Sequence, residues 1–162
     1  MEALVLSCST GGGHNAAAKA IVSQLKESGH TVTFFDPYSL QSDHLAHVVG
    51  TTYMTFVQHT PDLFGWVYRI GDAYSRMQKK IPIHSPVYWK QKKTSRLLEA
   101  YLREHPCDVI ITTHLFGGEI LTQLKNRHIP LPPVYFVATD YTCSPFVAEV
   151  DADYFVIPSP KL

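Results

Sequence analysis

The sequence predicts an α/β fold: a Rossmann-like, doubly wound parallel sheet with a helical insertion after its second strand. Two observations carry this. Short apolar runs alternate with helical stretches at both ends of the chain, and such runs, apolar on both faces, are typical of parallel strands. Between Tyr38 and about Arg103 the alternation lapses, and the pattern is helical or irregular with no good strand.

The elements follow in order. Strand one covers about Ala3 to Cys8, and Ser9-Thr10-Gly11-Gly12-Gly13 leads out of it. Helix one runs from near Gly13 to Ser28, with Ile21 and Leu25 at i, i+4 spacing. Gly29 stops it as a C′ glycine. Thr31 to Phe35 is strand two, ending at Asp36-Pro37, which completes a short βαβ unit. After the insertion, Leu97, Leu98, Tyr101 and Leu102 give a helical face before His105-Pro106. Asp108 to Thr112 is a strand, Gly117 to Arg127 a helix, Pro133 to Ala138 a strand and Asp153 to Ile157 another.

Composition bounds the function. The chain has 162 residues, one domain's worth, with 45% hydrophobic and 17% charged residues and a formal net charge of zero. Net charge therefore gives no case for nucleic acid. Cys8, Cys107 and Cys143 are too few and too scattered for a disulfide framework or a zinc cluster, so reduced thiols in the cytosol are expected. His44 and His47 stand at i, i+3 without a third ligand, and no metal is expected. No apolar run reaches the ~18–20 residues of a membrane span, and the first residues show neither the basic n-region nor the h-region of a signal peptide. Strand one starts almost at the initiator Met, as in a native N-terminus. The last strand is followed only by Pro158-Ser159-Pro160-Lys161-Leu162, so the expectation is one domain, 1–162, of a longer protein.

The chemistry concentrates at Gly11-Gly12-Gly13-His14-Asn15. Glycines let a ligand approach the main chain, and the helix that follows points free N–H groups at the loop. His14 at its mouth titrates near neutral pH and can take a proton from a substrate hydroxyl. A carboxylate on its other nitrogen would fix the tautomer, and Asp140, ending the PVYFVATD strand, is the candidate. Ligands of open α/β sheets bind at strand C-terminal ends, where His14, His114 and Asp140 would gather. His114 has two readings: a capping or packing loop residue, or a contact to acceptor or diphosphate. The loop is no P-loop, since no Gly-Lys-Ser/Thr follows. Gly11, Gly13 and Ala16 do match G-x-G-x-x-A, with Asp36 placed as a ribose acid, so a dinucleotide-binding oxidoreductase domain is the alternative.

A second constellation spans Trp66 to Arg96. Arg69, Arg76, Lys79, Lys80, Lys90, Lys92, Lys93 and Arg96 face one acid, Asp72, with Trp66, Tyr68, Tyr74, Tyr88 and Trp89 interleaved. The pattern suits an anionic bilayer surface, a solvated helical face with its aromatics in the core, or a nucleic-acid groove. A non-catalytic membrane or nucleic-acid binding module is thus a third reading.

The stretch STGGGHNAAAKAI resembles the N-terminal loop of the diacylglycerol glycosyltransferases, the family of plant monogalactosyldiacylglycerol synthases and bacterial processive diacylglycerol glucosyltransferases. A Gly-Gly-His turn of the lipid II N-acetylglucosaminyltransferase is more distantly similar. The likeness continues through the helical segment after strand two, DVIITTH and VATDYT. It implies the N-terminal, acceptor-binding half of a GT-B glycosyltransferase. The whole enzyme would move a hexose from a UDP-sugar, a donor substrate rather than a cofactor, to diacylglycerol. The partners it implies are diacylglycerol, an anionic membrane surface and a C-terminal UDP-sugar domain, with no nucleic acid. The place it implies is the cytoplasm, peripheral on the inner face of the cell membrane. His14 would be the base and Asp140 a catalytic carboxylate. Gly11, Gly12, Gly13, Asn15, His114, Thr139 and Tyr141 would bind substrate. Trp66, Lys79, Lys80, Trp89, Lys92 and Lys93 would touch the membrane. Where members often place a His and an aromatic after Thr-Asp, this chain has Tyr141-Thr142-Cys143-Ser144-Pro145-Phe146, a departure in the acceptor loop.

Overall fold

The computed structural model describes residues 1–9, 12–42, 44, 47–49, 51, 55, 84–140 and 145–159. Five parallel strands form one sheet in the order β2-β1-β3-β4-β5. They are β1 (Glu2–Leu6), β2 (Thr31–Phe35), β3 (Val109–Thr112), β4 (Val134–Val137) and β5 (Tyr154–Val156). The α-helices bounded by described residues are α1 (Gly12–Glu27), α2 (Pro86–Lys90), α3 (Lys92–Glu104) and α4 (Leu115–Asn126). The expected α/β fold is what the chain adopts, and each expected strand and helix is present, with bounds that differ by at most two residues. The expected insertion falls largely outside the described residues; its described end, α2 and α3, is helical.

Local chemistry explains the punctuation. Gly29 takes φ +81°, and its N–H donates to the Lys26 carbonyl while that of His30 reaches Leu25, which closes α1. Ser85 caps α2, its hydroxyl accepting the Tyr88 N–H at 3.2 Å, with Pro86 in the first turn. Gly117 is required by packing: a Cβ there would collide with the Thr112 hydroxyl, so only glycine lets α4 start this close to β3.

The core lies between the sheet and the pair α3–α4. Leu4, Leu6, Ile110 and Val134 of the strands meet Leu98 of α3 and Ile120, Leu121 and Leu124 of α4. Each such side chain contributes about 1.5–3 kcal/mol by burial. The right-handed crossover rule places α1 on the opposite face. A polar layer sits outside the apolar one. Tyr38 donates to Gln91 Oε1 at 2.6 Å, and Ser95 to Gln123 Oε1 at 3.1 Å. Glu119 on α4 is fully buried with neither carboxylate oxygen hydrogen-bonded. Burial first, and the Glu149 carboxylate second, push it up to about 8, so it is held neutral at pH 7.

The strand order fixes where a ligand belongs. From β1 the chain moves to β2 on one side and later to β3 on the other. The crevice beyond the C-terminal ends of β1 and β3 is therefore the topological switch point. Leu6 pairs in register with Thr112, and the Thr113 N–H donates to the Leu6 carbonyl at 3.2 Å. The two strands thus end level, and the turns that leave them lie side by side.

Candidate functional site

That crevice is built by three short turns. His14 stands in the first turn of α1, just after β1. Thr113 and His114 follow β3, and Thr139 and Asp140 follow β4. The first turn of α1 is tied to the β3 turn by the Thr113 hydroxyl, which donates to the His14 carbonyl at 3.0 Å.

The His14 ring is held through one nitrogen. Its Nδ1 lies 2.9 Å from the Thr113 carbonyl oxygen and 2.6 Å from Thr139 Oγ1. A carbonyl can only accept, so Nδ1 carries the proton and shares it with the threonine oxygen. The neutral ring then bears its lone pair on Nε2, which has no hydrogen-bond partner among the described residues. The ring is half-buried, so a hydroxyl can reach it. The carboxylate expected on His14's other nitrogen is not found there among the described residues. The carbonyl of Thr113 and the hydroxyl of Thr139 occupy that place, because the register of β1, β3 and β4 brings these two residues to the ring. Asp140 is exposed, one residue beyond Thr139.

His114 is held in the opposite sense. Its Nδ1 accepts the Phe116 N–H at 3.1 Å as the N-cap of α4, so the proton of its neutral ring sits on Nε2. It is 4% exposed and packs edge-on against His14, with ring centroids 4.6 Å apart. Burial first, and the neighbouring His14 second, push it down to about 3, so His114 is neutral beside the base at any physiological pH. It therefore caps and packs, as one of the two sequence readings held, while lying at the crevice that the other required.

Gly12 and Gly13 are exposed at the start of α1, and a Cβ on either would meet nothing within 4 Å. Packing among the described residues does not call for glycine at these positions. Asn15 follows them, half-buried. Gly11 and Tyr141 lie outside the described residues. Asp36 is engaged within the fold: one oxygen accepts the Ser9 N–H at 2.8 Å and the other the Tyr38 N–H at 2.9 Å. That is the work of a turn and a cap, and it accounts for the acid without a ribose.

Trp66, Lys79 and Lys80 also lie outside the described residues. Trp89, Lys92 and Lys93 do not; they come together at the junction of α2 and α3. Trp89 is 57% exposed. With Lys90, Lys92, Lys93, Arg96 and Leu97 it lines a cleft of about 520 Å³, remote in sequence from the His14 crevice. None of these four cations joins an ion pair among the described residues. No described helix is long and apolar enough to cross a membrane.

Sequence reasoning passed over Thr113, although the Thr-Thr-His run that ends β3 was in view. A hydroxyl residue at a strand end beside a glycine-rich turn was the available signal. Thr139, which the sequence assigns to substrate binding, places its hydroxyl against His14.

Residues 14–162 match the monogalactosyldiacylglycerol (MGDG) synthase family. The chain belongs to this family. Membership identifies it as a domain of a glycosyltransferase of glycolipid synthesis with a lipid acceptor, and agrees with the Rossmann-like fold of a GT-B N-terminal domain. No curated protein and no solved structure matches the chain.

Proposed function

We propose that the chain is the acceptor-side domain of an MGDG-synthase-type enzyme that transfers a hexose from a UDP-sugar to the free hydroxyl of diacylglycerol, with His14 as general base. One observation carries the reading. The Thr113 carbonyl holds Nδ1–H, which leaves the basic Nε2 of His14 at the β1/β3 switch point.

The steps follow from that geometry. The acceptor hydroxyl meets Nε2, which takes its proton as the oxygen attacks the anomeric carbon and the nucleoside diphosphate leaves. The charge that develops on the imidazolium is met by the Thr113 and Thr139 oxygens on Nδ1–H. His114, being neutral, adds no repulsion. The open positions Gly12 and Gly13 admit acceptor or diphosphate close to the N-terminal N–H groups of α1. Gly11, Asn15, His114 and Tyr141 complete the substrate contacts of this reading. Asp140 is kept as the site's carboxylate, with its contact to substrate rather than to His14.

The domain would work with a C-terminal domain that holds the UDP-sugar, and it would be cytoplasmic, peripheral on the inner face of the cell membrane. Trp89 and the basic residues of α2 and α3 favour an anionic bilayer, each cation near such a surface contributing on the order of 1 kcal/mol. Trp66, Lys79 and Lys80 belong to the same membrane-contact set. The test is transfer by the full-length gene product on vesicles of diacylglycerol and anionic phospholipid, with radiolabelled UDP-glucose or UDP-galactose. Label in a glycolipid is the expected result; no lipid product with either donor would overturn the reaction class.

A further inference from the structure

The ring of His14 is oriented by two uncharged oxygens, and they differ in what they can do. The Thr113 carbonyl is main chain: it sits after β3, pinned by its own N–H to Leu6, and no side-chain change removes it. Thr139 Oγ1 is a side chain at the shorter distance, 2.6 Å. It is placed with similar care, because the Ala138 N–H before it donates to the Val156 carbonyl at 2.8 Å and holds the backbone extended beyond β4. A single Nδ1–H faces both acceptors. A hydrogen bond accepted from a ring that is becoming charged is stronger than the same bond to the neutral ring.

We propose that Thr139 is a positioning residue that acts through His14: its hydroxyl oxygen, with the Thr113 carbonyl, fixes the Nδ1–H tautomer and stabilises the imidazolium in the role a carboxylate fills in a catalytic triad. The proposal rests on the reading of His14 as the base. Among the described residues, His114 packs edge-on against the ring with centroids 4.6 Å apart, and the exposed Asp140 follows Thr139 in the chain. His114 stays neutral above about pH 3, so it adds no charge step of its own to a profile measured between pH 5 and 9.

Two readouts test it. In the 162-residue chain carrying ¹⁵N-labelled histidine, ring NMR against pH reports the tautomer and midpoint of His14 directly. The neutral ring of the wild type is expected as Nδ1–H. Thr139→Val, nearly the same shape without the hydroxyl, is expected to move the midpoint down by about half to one pH unit, and Thr139→Ser to restore it. In the full-length protein, Thr139→Val is expected to lower kcat roughly ten-fold with KM for diacylglycerol little changed, and to move the acid limb of the pH–rate profile the same way. A wild-type ring in the Nε2–H form, or a Thr139→Val ring that titrates as wild type, overturns the proposal. Should the valine variant not fold, the wild-type tautomer and Thr139→Ala decide by the same criteria. Failure of the base reading looks different: His14→Ala would then keep full transfer, while a shifted midpoint in Thr139→Val would still uphold the contact.

Discussion

His14 and His114 show how two like residues 4.6 Å apart are given opposite properties by one backbone partner each. A carbonyl on Nδ1 leaves His14 basic at Nε2; an N–H on Nδ1 leaves His114 a proton donor there. Burial then removes His114 from the titration. The cost appears in stability. His114 goes from the ordinary 6.5 to about 3 on folding, so between those values the unfolded chain binds a proton that the folded chain refuses, and stability is lost as pH falls from 6.5 to 3. Glu119 runs the other way. Its folded value, about 8, lies above the ordinary 4.5, so stability is lost as pH rises from 4.5 to 8. Each slope is at most about 1.4 kcal/mol per pH unit. Urea unfolding across pH is expected to show the acid slope flattened in His114→Asn, which keeps a capping acceptor, and the alkaline slope flattened in Glu119→Gln. Unchanged slopes would mean that these groups are not buried as described.

The turn from β1 into α1 divides what was legible in the sequence from what was not. Its strand, its glycines and its histidine could all be read, because an apolar run followed by a glycine-rich helix start is local chemistry. The partners of that histidine could not. Thr113 and Thr139 are 99 and 125 residues away, and only the parallel register that ends β3 and β4 level with β1 brings them in. The sequence offers Asp140 as a carboxylate for the site; the sheet brings the hydroxyl of the residue before it to Nδ1. Gly12 and Gly13 also gain meaning only in three dimensions. Neither takes a left-handed φ or faces a neighbour among the described residues. Gly13→Ala is therefore expected to stabilise the fold by about 0.4–1 kcal/mol by thermal or urea unfolding. Under the proposed function the same change is expected to lower transfer several-fold, because the methyl would enter space that the substrate takes in that reading. A variant that loses stability would assign the glycine to the fold instead.

Across the whole molecule, two surfaces divide the work. The crevice at the β1/β3 switch point holds His14 with Thr113 and Thr139, and the α2–α3 junction presents Trp89 and four cations. The proposed function joins them in one task, in which a lipid acceptor would be drawn from a bilayer to His14. Charge reversal at Lys90, Lys92, Lys93 and Arg96 is expected to abolish salt-sensitive co-sedimentation with anionic vesicles while leaving the His14 ring signals unchanged. Undiminished sedimentation would locate the contact elsewhere. The basic–aromatic composition of this segment was readable in advance. That part of it would collect on one short helix and the start of the next was not, because helix faces depend on where α2 ends and α3 begins.

The most direct measurement is the rate of glycolipid formation by full-length protein on diacylglycerol vesicles with UDP-sugar, wild type against His14→Ala. Vesicle binding is measured alongside. The expected result is a fall in kcat of about 10²–10⁴-fold with vesicle binding unchanged. Transfer that survives the substitution at the wild-type rate would contradict the assignment of the base at the centre of the site.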